Sequence, residues 1–291
     1  MANSIALFKT YVPLLDEVYK NASLTSVLDG ANELVTQGAN ANEMIIQKMS
    51  MSGLGDYSRN GGYVKGDVTM TNETVKCNFD RGRMFSVDNL DNIETAGMAY
   101  ARLSAEFIRT KVVPEIDAFR FATYAGTTGI STVAGAVLTT GDAVIKAIAT
   151  AYDTMTNNEV PETERYLFIT PTLAGLVRDL DTTKSKEVMN KFAGVIHVPQ
   201  SRFYTAIDQF DGSTSNEEAG GFAKASGGVA INFMIIHKPA VIQFEKHVAP
   251  KVVTPEQNQE ADAWKFGYRN VGIADVYDNK VAGIYLHKST T

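Results

Sequence analysis

Residues 92–123, NIETAGMAYARLSAEFIRTKVVPEIDAFRFAT, hold one helical pattern for longer than an ordinary helix lasts, and no other segment constrains the fold as much. Asp91 stands at the N-cap position with Glu94 three residues on, a capping pair set where apolar periodicity begins. Ile93, Ala96, Tyr100, Leu103 and Phe107 recur every three or four residues and so share one helix face, with Glu106, Arg109 and Lys111 largely between them. A continuous helix here would be roughly 45 Å long, at about 1.5 Å per residue. Helices in globular domains average about 11 or 12 residues, so this one suits spanning and tiling better than enclosing a reaction. Pro114 is its weak point. It lacks an N–H and its ring crowds the preceding turn, which predicts a kink or an end after Val113.

At 291 residues the chain can bury a sizeable core and sits near the size at which one core gives way to two domains. A formal charge of −6 and a pI near 5.3 create no overall field for nucleic acid or an anionic membrane, which argues against a dedicated DNA binder. Cys77 is the single cysteine, so neither an intrachain disulfide nor a cysteine metal cluster can form. The start, MANSIALFKTYVP, lacks a basic flank followed by a sustained apolar region, and no run reaches 18 apolar residues. The expectation is a protein made in the cytoplasm, with no membrane partner.

The rest of the chain mixes helix and strand signals without a regular βαβ beat, which favours an α+β fold over a doubly wound sheet. The first 45 or so residues mix short amphipathic patterns with polar breaks and read as an arm lying over something else. Glycines then interrupt 49–77, and Asn60-Gly61 is a strong turn signal. Residues 63–65 and 68–79 supply β-branched residues alternating with polar ones, which predicts a projecting two-stranded hairpin. A lone hairpin is marginal in water and wants a partner. RGRMFSV at 81–87 continues as strand.

Beyond the long helix, 126–140 reads as a loop around a short strand and 142–155 as a second helix. RYLFIT at 165–170 reads as a buried strand, and Pro171 opens a short helix ending near Leu180. A charged stretch, 179–191, precedes the strand GVIHV at 194–198, and 211–228 is turn-rich. Strands follow at 230–237 and 241–244. The runs 272–278 and 281–287 suit a closing antiparallel hairpin.

The chemistry-bearing motifs are absent: no Gly-x-Gly-x-x-Gly loop, Walker A sequence, His-Glu-x-x-His helix or Gly-x-Ser-x-Gly elbow occurs. His197, His237, His247 and His287 are too scattered to form a local metal pair. Glu217-Glu218 and Glu260/Asp262 read as solvated charge. Arg81 and Arg83 flank Gly82 on one strand face, where they would meet carboxylates or a neighbouring subunit. Glu115 and Asp117, beside Pro114, are placed to brace a joint. No catalytic, cofactor-binding or metal residue is therefore expected, and the protein does not read as an enzyme. What remains is an arm, a hairpin and a spanning helix, which suit a subunit whose extensions find partners on other copies.

This order of elements resembles the major capsid proteins of tailed bacteriophages with the HK97-type fold, over nearly the whole chain. The resemblance is carried most by 83–124, where RMFSVDNLDNIETAG leads into a helix ending VVPEIDAFRFATY. YLFITP at 166–171, GVIHVPQSRF at 194–203, NFMIIHKPAV at 232–241 and VYDNKVAGIYLHKS at 276–289 are also similar to family phrases. The resemblance implies an N-terminal arm at 1–46 and an extended β-hairpin loop at 47–78. It further implies a peripheral domain with the spine helix at 79–125, an axial domain at 126–228, and return strands completing both domains at 229–291.

The resemblance also implies a homo-oligomer of hexamers and pentamers closing into an icosahedral virion shell, assembled in the bacterial host cytoplasm. Its implied partners are a separate scaffolding protein, because the chain starts almost directly with the arm, together with a portal and decoration proteins. Contact with the packaged double-stranded DNA should be weak and non-specific, in keeping with the acidic balance. Some members link a loop lysine covalently to an asparagine. Lys65 lies in the matching loop, no matching asparagine or glutamate stands out, and a non-covalent shell is expected. The alternatives are an encapsulin-like compartment shell, which shares the fold, and an unrelated hydrolase, which would be a compact monomer with a polar cleft.

Overall fold

The computed structural model describes residues 23–30, 35–37, 43–90, 106–133 and 135–290. Most of the expected arm and the first part of the long helix, 92–105, lie outside the described residues. The rest forms an α+β fold built on two main sheets that share one helix.

The larger sheet is five-stranded and mixed, in the order β5 (Ser131–Val133), β13 (Ile284–Lys288), β10 (Ile231–His237), β6 (Arg165–Ile169), β7 (Gly194–His197). β10 runs antiparallel to both β13 and β6, whereas the outer pairs β5–β13 and β6–β7 are parallel. Its strands are near-continuous apolar runs because both faces are covered, and successive side chains divide between the two faces. Leu167, Ile169, Phe233, Ile235 and Tyr285 pack on one side with Val144, Ile148 and Met155. Phe168, Met234, Ile236, Ile284 and Leu286 pack on the other with Phe121 and Tyr124.

The first of these faces carries three helices. Helix α1 is Val113–Gly126 and covers the second face; α2 (Gly141–Asn157), α3 (Pro171–Leu180) and α4 (Thr183–Met189) cover the first. Thr140 caps α2 by accepting from the Ala143 N–H at 3.3 Å. Pro171 opens α3, where its missing N–H costs nothing. The charged stretch 179–191, which carries no clear periodic signal, holds α4. Thr182 and Ser185 form a capping box there, and buried Val188 anchors the single turn pair of α4. Arg165, fully buried, fastens the end of α2 to β6: its guanidinium donates to the carbonyls of Pro161, Val160 and Tyr152 and stacks 4.5 Å from the Tyr152 ring.

The second sheet is antiparallel, in the order β11 (Val241–Val253), β12 (Ala263–Val276), β4 (Phe79–Asp88). Both β11 and β12 run longer than their apolar patterns suggested. β11 was expected to stop at residue 244 and β12 to begin at 272. β11 is an edge strand, so it tolerates Pro250, which has no N–H for the ladder. The expected closing hairpin of 272–278 with 281–287 does not form. Its first strand belongs to β12 in this sheet and its second is β13 in the five-stranded sheet, joined by the 3-10 segment Asp278–Gly283. The chain thus leaves the larger sheet after His237, makes the β11–β12 pair, and returns at Ile284.

A third sheet projects as the order β1 (Val35–Gln37), β2 (Glu43–Met51), β3 (Val68–Lys76). The expected hairpin is present, with one strand more than the sequence suggested and without strand structure at 63–65. Ser58 and Gly62 bridge around Asn60-Gly61, and Gly62 takes a φ of +75° that suits a residue without Cβ. A fourth element is the antiparallel ribbon of β8 (Ile207–Phe210) and β9 (Gly221–Lys224), the second of which lies inside the turn-rich stretch 211–228.

Pro114 neither ends nor interrupts the helical backbone. A π turn, Ile108–Val112, runs directly into α1, with Val112 and Val113 both right-handed helical. The Val113 N–H reaches back to the Ile108 carbonyl, one residue further than in an α-helix. That wider turn relieves the crowding a proline ring meets at the carbonyl four residues back.

Candidate assembly interface

Helix α1 is the place where the arm-side segment, the second sheet and the ribbon meet, and its polar residues hold the joint. Asp117 is fully buried, a cost that an isolated carboxylate could not sustain. It accepts from the Ser23 hydroxyl at 2.8 Å, the Leu24 N–H at 3.0 Å, and the Thr25 N–H and hydroxyl at 3.2 and 2.8 Å. Arg202, also buried, donates its Nη1 to Asp117 at 3.0 Å. One turn on, Arg120 donates to the Thr25 hydroxyl at 2.8 Å and to Glu245 of β11 at 3.2 Å. Tyr124 donates to Gln243 at 2.8 Å, and burial pushes its phenol far up. Gln243 in turn donates to the Thr25 carbonyl at 2.7 Å. Residues 23–29 are therefore fastened to both α1 and β11 by side chains three and four apart on one helix face.

The two arginines singled out in the sequence lie on the inner face of β4, and both find their partners within the chain. Arg81 pairs with Glu115 at 2.8 Å and donates to the Phe210 and Gly221 carbonyls at 2.7 and 3.3 Å. Arg83 donates to the Glu218 and Ala219 carbonyls at 2.8 and 3.1 Å. Together they hold the β8–β9 ribbon and its loop against β4. Gly212 and Gly220 have φ of +76° and +64°, and a Cβ on Gly220 would lie 2.8 Å from the Arg83 guanidinium. Burial raises the Glu115 carboxyl above its usual range, while Arg81 and Gln209 pull it back down. Glu115 and Asp117 thus brace a joint, as their position beside Pro114 suggested.

The remaining polar candidates do not converge. His197 is exposed on β7. His237 is buried at the end of β10, and His287 on β13 stacks 4.8 Å from Phe233 with its Nδ1 3.1 Å from the Asn232 amide nitrogen. The side chain of His247 lies outside the described set. Glu217 accepts from the Asp211 N–H at 3.2 Å and Glu260 pairs with Lys265. Among the described residues, no three His, Cys, Asp or Glu side chains could hold a metal ion, and no helix is long and apolar enough to cross a membrane.

The sequence missed one feature outright, an apolar stripe left in solvent. Met49 lies opposite Met70 in the β2–β3 ladder, and Met51 opposite Val68. These four alternate positions share one face of the hairpin and are each at least 55% exposed. Leu54, Tyr57, Tyr63 and Val64 extend the exposed apolar surface to the tip, where the two tyrosine rings pack edge to face at 4.9 Å. Lys65 is exposed beside them. The turn signals announced the hairpin; only the cross-strand register shows that its methionines and valine form one stripe. Contiguous apolar surface of this kind marks an interaction site.

No protein-family model and no curated protein matches the sequence. Solved structures do match in fold. A chain from the mature capsid of bacteriophage PhiM1 superposes with a TM-score of 0.66 at 13% identity, covering 99% of this chain and 93% of that one. A chain of Mycobacterium phage Che8 gives 0.64 at 15% identity, covering 99% and 98%. A virus-like particle from Pyrococcus furiosus gives 0.53 at 12% identity, covering 91% and 97%. The likeness in fold to phage capsid chains thus extends over nearly the whole of both chains, and this chain has the HK97-like capsid fold.

Proposed function

We propose that this protein is the structural subunit of the icosahedral head shell that encloses the double-stranded DNA of a tailed bacteriophage or prophage. The observation that carries the reading is the likeness in fold to phage capsid chains over nearly the full length of both. In this reading copies associate as hexamers and pentamers, and the work of the protein is geometric instead of catalytic. Residues 47–78 act as the extended loop and 79–125 as the peripheral domain with the spine helix. Residues 126–228 form the axial domain, which 229–291 complete together with the peripheral sheet.

The exposed stripe of Met49, Met51, Val68 and Met70 supports this arrangement, since assembly would remove it from water. The fastening of 23–29 to α1 supports a role for the N-terminal segment as an arm whose root is fixed. A separate scaffolding protein, a portal and decoration proteins are the partners this reading expects, with assembly in the host cytoplasm and only weak contact with packaged DNA. Lys65 stays unlinked, and the shell is held without covalent bonds.

Negative-stain microscopy of the purified chain tests the proposal. Regular shells or capsomer rings are the expected outcome, and a stable monomer at high concentration would sink it. The likeness to the Pyrococcus virus-like particle favours a second reading, a compartment shell that carries protein cargo. Neighbouring genes separate the two: portal and terminase genes accompany a phage head, whereas a peroxidase or ferritin-like gene accompanies a compartment.

A further inference from the structure

We propose that the cleft between helix α1 and the middle of the β11–β12 pair is a binding site for one ordered water molecule, held by Asn270. Asn270 is 2% exposed, and its Oδ1 is a buried side-chain oxygen without a hydrogen-bond partner among the described residues. An orphaned buried acceptor of this kind calls for an unseen donor. The cleft it borders is also lined by Arg120, Glu245, Phe119, Ile116 and Gly272. The cleft is partly open at its mouth, and the space its lining leaves for the centre of a water molecule is about 10 Å³, enough for one.

The backbone explains why the space exists. The β11–β12 register shifts between Glu245 and His247, opposite Gly272 and Val271, so β11 carries a bulge at this level. A Cβ on Gly272 would lie 3.1 Å from the Phe244 carbonyl oxygen and 3.9 Å from Asn270 Oδ1. The missing side chain thus leaves open the volume that the amide borders.

The charges around the cleft select a neutral occupant. The Arg120 guanidinium disfavours a metal cation, and the Glu245 carboxylate together with the bare Asn270 oxygen disfavours an anion. Water both donates to the Asn270 oxygen and accepts from Arg120, or donates to Glu245, giving the two or more polar partners a buried water needs. Turning the amide over would put Nδ2 into the same space, and water satisfies that orientation as well. The molecule would link β12 to Arg120, the residue that also holds Thr25, and so hydrate the joint at which 23–29 is fastened.

A density map of the full chain, assembled or soluble, at a resolution that shows ordered water tests this directly. One water about 2.7–3.2 Å from the Asn270 amide is expected. An empty cleft, or an amide swung onto a protein partner, overturns the proposal. A second measurement uses Asn270→Leu in a Tyr268→Phe background, which removes the amide's other contact, with Tyr268, from the comparison. If water is bound, the leucine forfeits its hydrogen bonds and Tm falls. If the oxygen is merely unsatisfied, removing it leaves Tm unchanged or raises it, which contradicts the proposal. Should that double variant fail to fold, the wild-type map decides alone.

Discussion

Asp117 shows how much of the joint rests on one side chain. It gathers donors from Ser23, Leu24, Thr25 and Arg202 in a site without solvent, so truncation leaves the Arg202 guanidinium buried and unpaired. Asp117→Ala should therefore cost about 3–5 kcal/mol, the range for breaking a buried ion pair from one side. Urea unfolding measures it, and a variant as stable as the wild type would mean that residues 23–29 are not fastened there. Glu115 makes a pH-dependent case. Burial lifts its carboxyl above the ordinary 4.5 despite the opposing pull of Arg81, so the folded protein holds the proton more tightly than the unfolded chain. Its contribution is fully present below pH 4.5 and is lost as pH rises through the raised value. The stability of the wild type relative to Glu115→Gln should fall across that window, and a difference that does not change with pH would remove the burial argument. His287 has the opposite sign. Burial lowers it from 6.5, so its contribution is present above pH 6.5 and is lost as the pH falls through the lowered value. His287→Gln should flatten that acid-side loss in a thermal-melt series, and an unaltered profile would place the titrating group elsewhere.

At the level of elements, the projecting hairpin separates folding from assembly. Met51 and Val68 face each other on its exposed side and touch neither main core, so charging them should leave the subunit's own stability within about 0.5 kcal/mol. The same pair, Met51→Asp with Val68→Asp, should abolish shells and leave free subunits in sedimentation velocity. Shells of normal size from that variant would show that the stripe is not an assembly contact. Elements with one strong local signal were legible in the sequence: Pro171 set the start of α3, Asn60-Gly61 the hairpin turn, and the runs at 165–170 and 230–237 the two central strands of the larger sheet. Elements whose signal depends on a partner were not. β9 is four residues of GFAK that become a strand because β8 lies beside them, and the outer half of β11 pairs despite Pro250 because it is an edge. Pro114 belongs with these, since a local rule predicts damage and a π turn absorbs it.

For the whole molecule, the chemistry of the exposed surface sets how a shell should respond to solution conditions. Contacts made by a methionine and valine stripe gain from salts excluded from protein surfaces and are not screened as ion pairs are. Assembled particles should therefore survive transfer from about 0.1 M to about 1 M salt, as followed by light scattering. Dissociation over that range would place the main contacts on charged groups instead. The α+β class, the hairpin, the two strands at 165–170 and 230–237 and the acidic, low-cysteine character follow from local periodicity, turn chemistry and composition, and so are legible in the residues alone. Long-range packing settles that 272–278 and 281–287 belong to different sheets, that Arg81 and Arg83 are engaged inside the subunit, and that four apolar side chains stand together in solvent. Those outcomes depend on which distant segments lie side by side, and pairing between segments 100 or more residues apart, such as β4 with β12, leaves no periodic mark in either one.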